Sequence, residues 1–180
     1  MRHEERNTTL NRCRPGHGAS CALCCGSHNY TRAPEQIGDL FYERACLHPQ
    51  LPFRYQEGST ETKLFADAMQ CPHVGMDSSD AGCVCCLIYS EADRGDDVER
   101  FFRGTCRNFY CKAWDDLTDE EVLFAARLMG DWYYYGLFIN DIAAVQEMSA
   151  LYGTPENVPP EEIESLKETL EQRLMDEDGK

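Results

Sequence analysis

TDEEVLFAARLMGDWYYYGLFINDIAAVQEMSALYG, residues 118–153, is the stretch that decides the fold class. Thr118 followed by Glu121 fits a capping box, in which each side chain satisfies a free backbone N–H at a helix start. Apolar residues then recur at helical spacing: Val122, Ala126, Met129, Tyr133, Leu137, Ile142 and Val145. Gly130 and Gly136 permit a bend or break, so one long helix or two in series are expected, stopped by Gly153 and Pro155. The run Trp132-Tyr133-Tyr134-Tyr135 must place part of itself in the core and part toward solvent or a partner, with core packing as the default.

Working outward, Pro159-Pro160 opens a last helix, EEIESLKETLEQRLM, with Ile163, Leu166, Leu170 and Leu174 on one face. Its acidic first turn suits the helix dipole. Toward the N-terminus, APEQIGDLFYERACL, residues 33–47, reads as a helix with Pro34 at its first position and Ile37, Leu40, Phe41 and Ala45 at helical spacing. Pro49 and Pro52 end it. Thr60 is expected to cap a second short helix burying Leu64, Phe65, Ala68 and Met69. No convincing sheet is legible, although VCCLIY, residues 84–89, suits a short strand. The expected class is mainly α, a small helical domain with cysteine-rich irregular loops organised around metal. Its predicted parts are a polar N-terminal extension (1–12), frayed or draped over the surface, a cysteine-cluster metal-binding domain (13–116), a C-terminal helical region packed on it (117–175), and an acidic tail (176–180).

The 180 residues hold 17 basic and 32 acidic side chains, a formal net charge of −15. That balance excludes a nucleic-acid backbone or an anionic membrane surface as main partner, because both repel such a surface. No run approaches the roughly 18 apolar residues of a membrane-spanning helix, and MRHEERNTTL has no apolar signal region. The expected compartment is a reducing cytoplasm. There, clustered cysteines are more often metal ligands or redox groups than disulfide staples.

Eleven residues are cysteine. Cys46, between Ala45 and Leu47 in an apolar helical stretch, reads as core packing. The other ten fall in two blocks amid polar, Gly-rich and Pro-rich residues: Cys13, Cys21, Cys24 and Cys25, then Cys71, Cys83, Cys85, Cys86, Cys106 and Cys111. Two thiolates separated by two residues can wrap one tetrahedral metal. Adjacent Cys24 and Cys25 are expected to point apart and so to reach different metals or different irons of a cluster. The ten thiols suffice for two four-sulfur sites with two spare, and the blocks are expected to converge as the intervening helices fold back. Metal is also an energetic expectation, since these loops lack apolar residues to order themselves and a structural zinc supplies roughly 10–16 kcal/mol of apparent binding energy.

Four segments carry a resemblance: Cys21-Ala22-Leu23-Cys24-Cys25, Cys71-Pro72-His73, Cys86-Leu87-Ile88-Tyr89, and the closing Cys106-Arg107-Asn108-Phe109-Tyr110-Cys111. In this order they resemble the YkgJ-type cysteine-cluster proteins, described as zinc- or iron-chelating domains, over roughly residues 13–114. The resemblance implies Cys21, Cys24, Cys25, Cys71, Cys86, Cys106 and Cys111 as the metal-binding set, with Cys13 an eighth member. Cys83 and Cys85 are additional to the pattern and can replace or supplement Cys86. The family's Arg-Pro after Ile-Tyr is missing, and an acidic insertion, EADRGDDVER, stands there.

Thiolate-only ligation suits an iron–sulfur cluster or zinc and disfavours magnesium and calcium. Adjacent cysteines and more than four ligands tilt the expectation toward a polynuclear iron site, with zinc close behind. His17, His28 and His73 lie near the cysteines and can ligate, but each reads better as a surface residue. The first functional reading is a metal-binding protein with a structural or electron-carrying role. The alternative is a redox or protein-modifying enzyme, or its accessory subunit, using the cluster as reactive group. A thioredoxin-like use of Cys21 and Cys24 lacks the β-α-β setting it needs. Gly16-His17-Gly18 opens like a dinucleotide loop, but Cys21 occupies the third glycine's place. No catalytic residue is assignable. Beyond metal ions, a protein partner is expected at the aromatic or acidic helical surfaces.

Overall fold

The computed structural model describes residues 10–47, 62–77, 82–88, 106 and 111–176. Thr60, the acidic insertion and Arg107 lie outside the described residues. The chain is mainly helical. A 3-10 turn at Leu23–Cys25 precedes α1 (Pro34–Leu47), β1 (Val74–Met76) and β2 (Val84–Cys86). Then follow α2 (Ala113–Asp116), α3 (Asp119–Met129), α4 (Trp132–Phe138), α5 (Ile142–Tyr152), a 3-10 turn at Pro155–Asn157, and α6 (Pro160–Asp176). No described helix is long and apolar enough to cross a membrane.

The 118–152 stretch forms three helices rather than one or two. α3 starts on the Thr118–Glu121 capping box and ends at Gly130 in the left-handed conformation. Asp131 and Asp141 each accept from the backbone N–H three residues on, Tyr134 and Ala144, and so start α4 and α5. Gly136 breaks nothing. It lies inside α4, where an added Cβ would stand 2.8 Å from the His28 ring. Trp132, Tyr133 and Tyr135 are buried, so the aromatic run is core; Tyr134, half-buried, donates to Glu171 at 2.6 Å. α6 buries Leu170, and Ile163, Leu166 and Leu174 pack beside the core on the same face.

α1 forms as expected and buries Ile37 and Phe41 against β1. Cys46 is a correction: it is exposed. At 3.6 residues per turn, nine positions after Ile37 is the opposite side of the helix, so an apolar neighbourhood in sequence does not make Cys46 core. The helix expected after Thr60 is a second correction. Residues 62–70 are turns and bends, and Met69 is exposed. The carbonyls that a helix would use internally go to one side chain, since Asn29 Nδ2 donates to Phe65, Ala68 and Met69 oxygens at 3.1, 3.1 and 3.3 Å. Asn29 Oδ1 accepts from the Phe65 N–H at 2.6 Å.

VCCLIY does yield a strand over Val84–Cys86, paired antiparallel with β1 in the register Val74↔Cys86, Gly75↔Cys85, Met76↔Val84. The end of the presumed N-terminal fringe is not frayed at Arg12, which is 2% exposed. Its guanidinium donates to the Leu117 carbonyl at 3.1 Å and pairs with Asp119 at 2.8 Å. Burying a guanidinium is costly unless it is paired in this way.

Candidate metal centre

The first cysteine block is a pair of tight turns. Gly16, His17 and Gly18 all have positive φ, and the Ala19 N–H closes on the Gly16 carbonyl at 3.1 Å. The chain thereby doubles back, so that the Cys21 N–H donates to the Cys13 carbonyl at 3.0 Å. The 3-10 turn then presents Cys24 and Cys25 together, with their Sγ atoms 3.9 Å apart. They do not point apart as expected. The tight turn keeps neighbouring side chains on one side.

Three contacts bring the second block onto the first. The Cys71 N–H donates to the Cys25 carbonyl at 2.9 Å, and Ser20 Oγ accepts from the Val84 N–H at 2.7 Å. Gly26 makes the third approach: an added Cβ would overlap the Met69 carbonyl group, 2.6 Å from its carbon. The two blocks converge.

The surroundings of the thiols differ between the two sides. Cys21 Sγ lies 3.8 Å from Asn140 Nδ2 at the end of α4. Nearby, the fully buried Tyr135 donates its hydroxyl to the Arg12 carbonyl at 2.7 Å. On the other side, Arg44 of α1 reaches the Cys71 and Val74 carbonyls at 3.4 Å each and the Tyr30 hydroxyl at 3.0 Å. Cys83 is buried and Cys85 half-buried next to Arg14 and Asp77, which pair at 2.6 Å.

Burial governs how these thiols ionise, because a thiolate loses its hydration there. Crowding about its thiol, then the nearby Cys24 and Cys111, push Cys13 up to about 11. Burial raises Cys21 further, with Cys13, Cys24 and Cys111 adding. Cys71 rises to about 11 through burial, opposed by a backbone N–H from His73, with Cys86 and Cys106 adding and Arg44 lowering it. Cys85 also rises to about 11, through burial and then Asp77. Cys106 and Cys111 are raised by burial and by Cys24; backbone N–H groups and Arg12 oppose the rise at Cys111. Cys24 moves down, because the Cys25 thiol donates to it, and Cys25 moves up correspondingly.

All ten block cysteines lie among the described residues. Eight of them form one linked set of electrostatic neighbours, Cys13, Cys21, Cys24, Cys25, Cys71, Cys86, Cys106 and Cys111, to which Cys85 is joined through Cys86, and Cys83 through Cys85. As the side chains stand, no three described His, Cys, Asp or Glu residues are close enough to hold a metal ion. Two histidines correct the surface expectation, since His28 and His73 are buried, while His17 is exposed. His28 is a core residue. Its Nε2 lies 2.8 Å from the Tyr133 carbonyl and its Nδ1 2.9 Å from Ser27 Oγ. A carbonyl only accepts, so Nε2 carries a proton; burial holds the ring down to about 4, so it is neutral near pH 7.

Arg12, Arg44 and Asn140 were not singled out by sequence. The available signal was position: Arg12 directly precedes Cys13, and Arg44 continues the Ile37–Phe41 face of α1. A cavity of about 650 Å³ opens beside Cys24, lined by Leu23, Met69, Leu137 and Leu170 and by the ion-paired Asp141 and Arg173.

Comparison of the chain with protein-family models, curated proteins and solved structures finds no match.

Proposed function

We propose that this is a cytoplasmic metal-binding protein that holds an iron–sulfur cluster or zinc through its converging cysteines, in a structural or electron-carrying role. The observation that carries the reading is the backbone junction of the two blocks, Cys71 N–H to Cys25 C=O, which gathers thiols that lie 46 positions apart in sequence. The donor set fits the group: soft sulfur ligands select zinc or iron–sulfur. A guanidinium lies near each side of the gathering, Arg12 near Cys111 and Arg44 near Cys71, which offsets the charge that thiolate ligation concentrates. Burial favours neutral thiols, so a bound cation is what makes their ionised form favourable. The resemblance to YkgJ-type proteins points the same way.

The test is metal and acid-labile sulfide content, with a visible spectrum, on protein purified without oxygen. Iron with sulfide and a brown chromophore supports a cluster; colourless protein holding zinc supports a structural site. Protein that binds neither when offered both refutes the reading.

The cavity beside Cys24 favours a second reading, in which the cluster is the reactive group of a redox or protein-modifying enzyme. Such chemistry needs space next to the reactive atom, and Cys24 lines that space. The exposed acidic residues of α6, among them Glu161, Glu164 and Glu168, suit a basic protein partner. Association that weakens with added salt is the expected behaviour.

A further inference from the structure

We infer that the cysteines form two distinct four-thiol metal centres meeting at the Cys24–Cys25 contact: Cys13, Cys21, Cys24 and Cys111 in one, Cys25, Cys71, Cys86 and Cys106 in the other, with Cys83 and Cys85 in neither. This rests on the metal-binding reading above and deepens it.

The two sets are attached to different parts of the fold. Cys13 and Cys21 are joined by the backbone bond at 3.0 Å and face the C-terminal helices through Asn140 and Tyr135. Cys111 opens the turn into α2, where the Trp114 N–H closes on the Cys111 carbonyl at 3.1 Å. Arg12 stacks over the Trp114 ring, 5.0 Å from its centroid. Within this set Cys21 senses the other three, Cys13 senses Cys24 and Cys111, and Cys111 senses Cys24; Tyr135 senses Cys21, Cys13 and Cys111.

The second set belongs to α1 and the hairpin. Cys71 is bonded to Cys25, and the Val74 N–H returns to the Cys71 carbonyl at 3.3 Å. The register then places Cys86 opposite Val74, close to Cys71. Cys25, Cys71 and Cys86 are mutual neighbours, and Cys106 neighbours Cys71 on this side and Cys24 across the junction. Arg44 serves this side as Arg12 serves the other.

Strand geometry excludes Cys85. Successive side chains of a strand point to opposite faces, so Cys85 and Cys86 cannot serve one site. Cys86 turns toward Cys71 and Cys25, which leaves Cys85 beside Arg14 and Asp77, with Cys86 of its own strand and Cys83 as its neighbouring thiols.

The test uses the full chain, stripped of metal and reloaded with zinc without oxygen, with zinc per chain counted by native mass spectrometry. The wild type is expected to take up about two zinc ions, one per four-thiol set. Cys21→Ser and Cys71→Ser should each keep about half, from different centres, and their combination should lose both. The Cys83→Ser/Cys85→Ser double variant should keep the full complement. Cys21→Ser and Cys71→Ser each losing all zinc, or the Cys83/Cys85 variant losing any, overturns the division while leaving metal binding intact. Wild type that takes up neither zinc nor iron overturns the underlying reading and the division with it. A readout that needs no variant guards against misfolding. During stepwise chelation of wild-type protein, thiol alkylation should appear in two groups of four, and one concerted group of eight would overturn the division.

Discussion

Replacing Gly26 with alanine tests whether the backbone junction, rather than any single thiol, assembles the centre. Gly26 has φ +78°, and a side chain in that region costs about 1–2 kcal/mol. The new Cβ would also overlap the Met69 carbonyl group, which is backbone and cannot rotate away; overpacking of this kind adds about 1–3 kcal/mol. The total of about 2–5 kcal/mol corresponds to a fall of roughly 4–20 °C in Tm for a chain of this size. Gly82→Ala is the control, since Gly82 has φ +96° but nothing within 4 Å of its Cβ position. It should lose only about 1–2 kcal/mol, or roughly 2–8 °C. Thermal unfolding by circular dichroism of the metal-free proteins measures both. Because retreat of Met69 pulls on the Cys71–Cys25 hydrogen bond, Gly26→Ala should also lower zinc content although every thiol remains. Equal Tm losses in the two variants, with full zinc in both, would refute the reasoning.

Three further outcomes are expected. Cys46→Ser should change Tm and zinc content by nothing measurable, because Cys46 is exposed and remote from the buried face of α1; a Tm loss would restore a packing role. Tyr135→Phe leaves the buried Arg12 carbonyl without its 2.7 Å donor, and a loss of about 1–3 kcal/mol by denaturant titration is expected. His28 is held down to about 4 when folded, against an ordinary value of about 6.5. Between these values the unfolded chain binds more protons, so His28's contribution is complete above the ordinary value and disappears as pH falls through the window. His28→Gln should flatten that part of the metal-free stability profile, and an unchanged slope would place the titration elsewhere.

The helices were legible because each has a local cause. The Thr118–Glu121 box, the Pro34 start, the Gly153 stop and the apolar face of α6 all depend on residues within a few positions of one another. Breaks at Asp131 and Asp141 were equally local and could have been read, since an aspartate before an apolar run is a helix-start signal. Residues 62–70 were not legible in the same way, because Asn29, more than thirty positions away, takes the carbonyls that would otherwise favour a helix. Cys46 shows a different limit: composition suggested burial, but the phase of Ile37 and Phe41 on α1 decides it. The convergence of the cysteine blocks was legible in outline. Its means, the Ser20, Asn29 and Gly26 contacts, lay outside any motif.

On the proposed metal-binding reading, Arg12 and Arg44 stand where the charge of ionised thiols would gather. The chain carries −15 overall, a field that already disfavours adding thiolates. Burial raises most of the gathered thiols, and their mutual repulsion raises them further. A metal-free centre near neutral pH therefore holds its thiols largely protonated, with Cys24 the first to ionise because Cys25 donates to it. If the proposed metal binding holds, loading must expel those protons, so affinity should rise with pH until the thiols have ionised. The two guanidiniums act on the same balance from fixed positions. Arg12 is anchored by Asp119 and the Leu117 carbonyl, and Arg44 by the Tyr30 hydroxyl and the loop carbonyls. Each therefore lowers the cost of ionising its neighbouring cysteine without being free to follow the metal. The acidic surface raises that cost from a distance, and the two anchored guanidiniums reduce it beside the thiols.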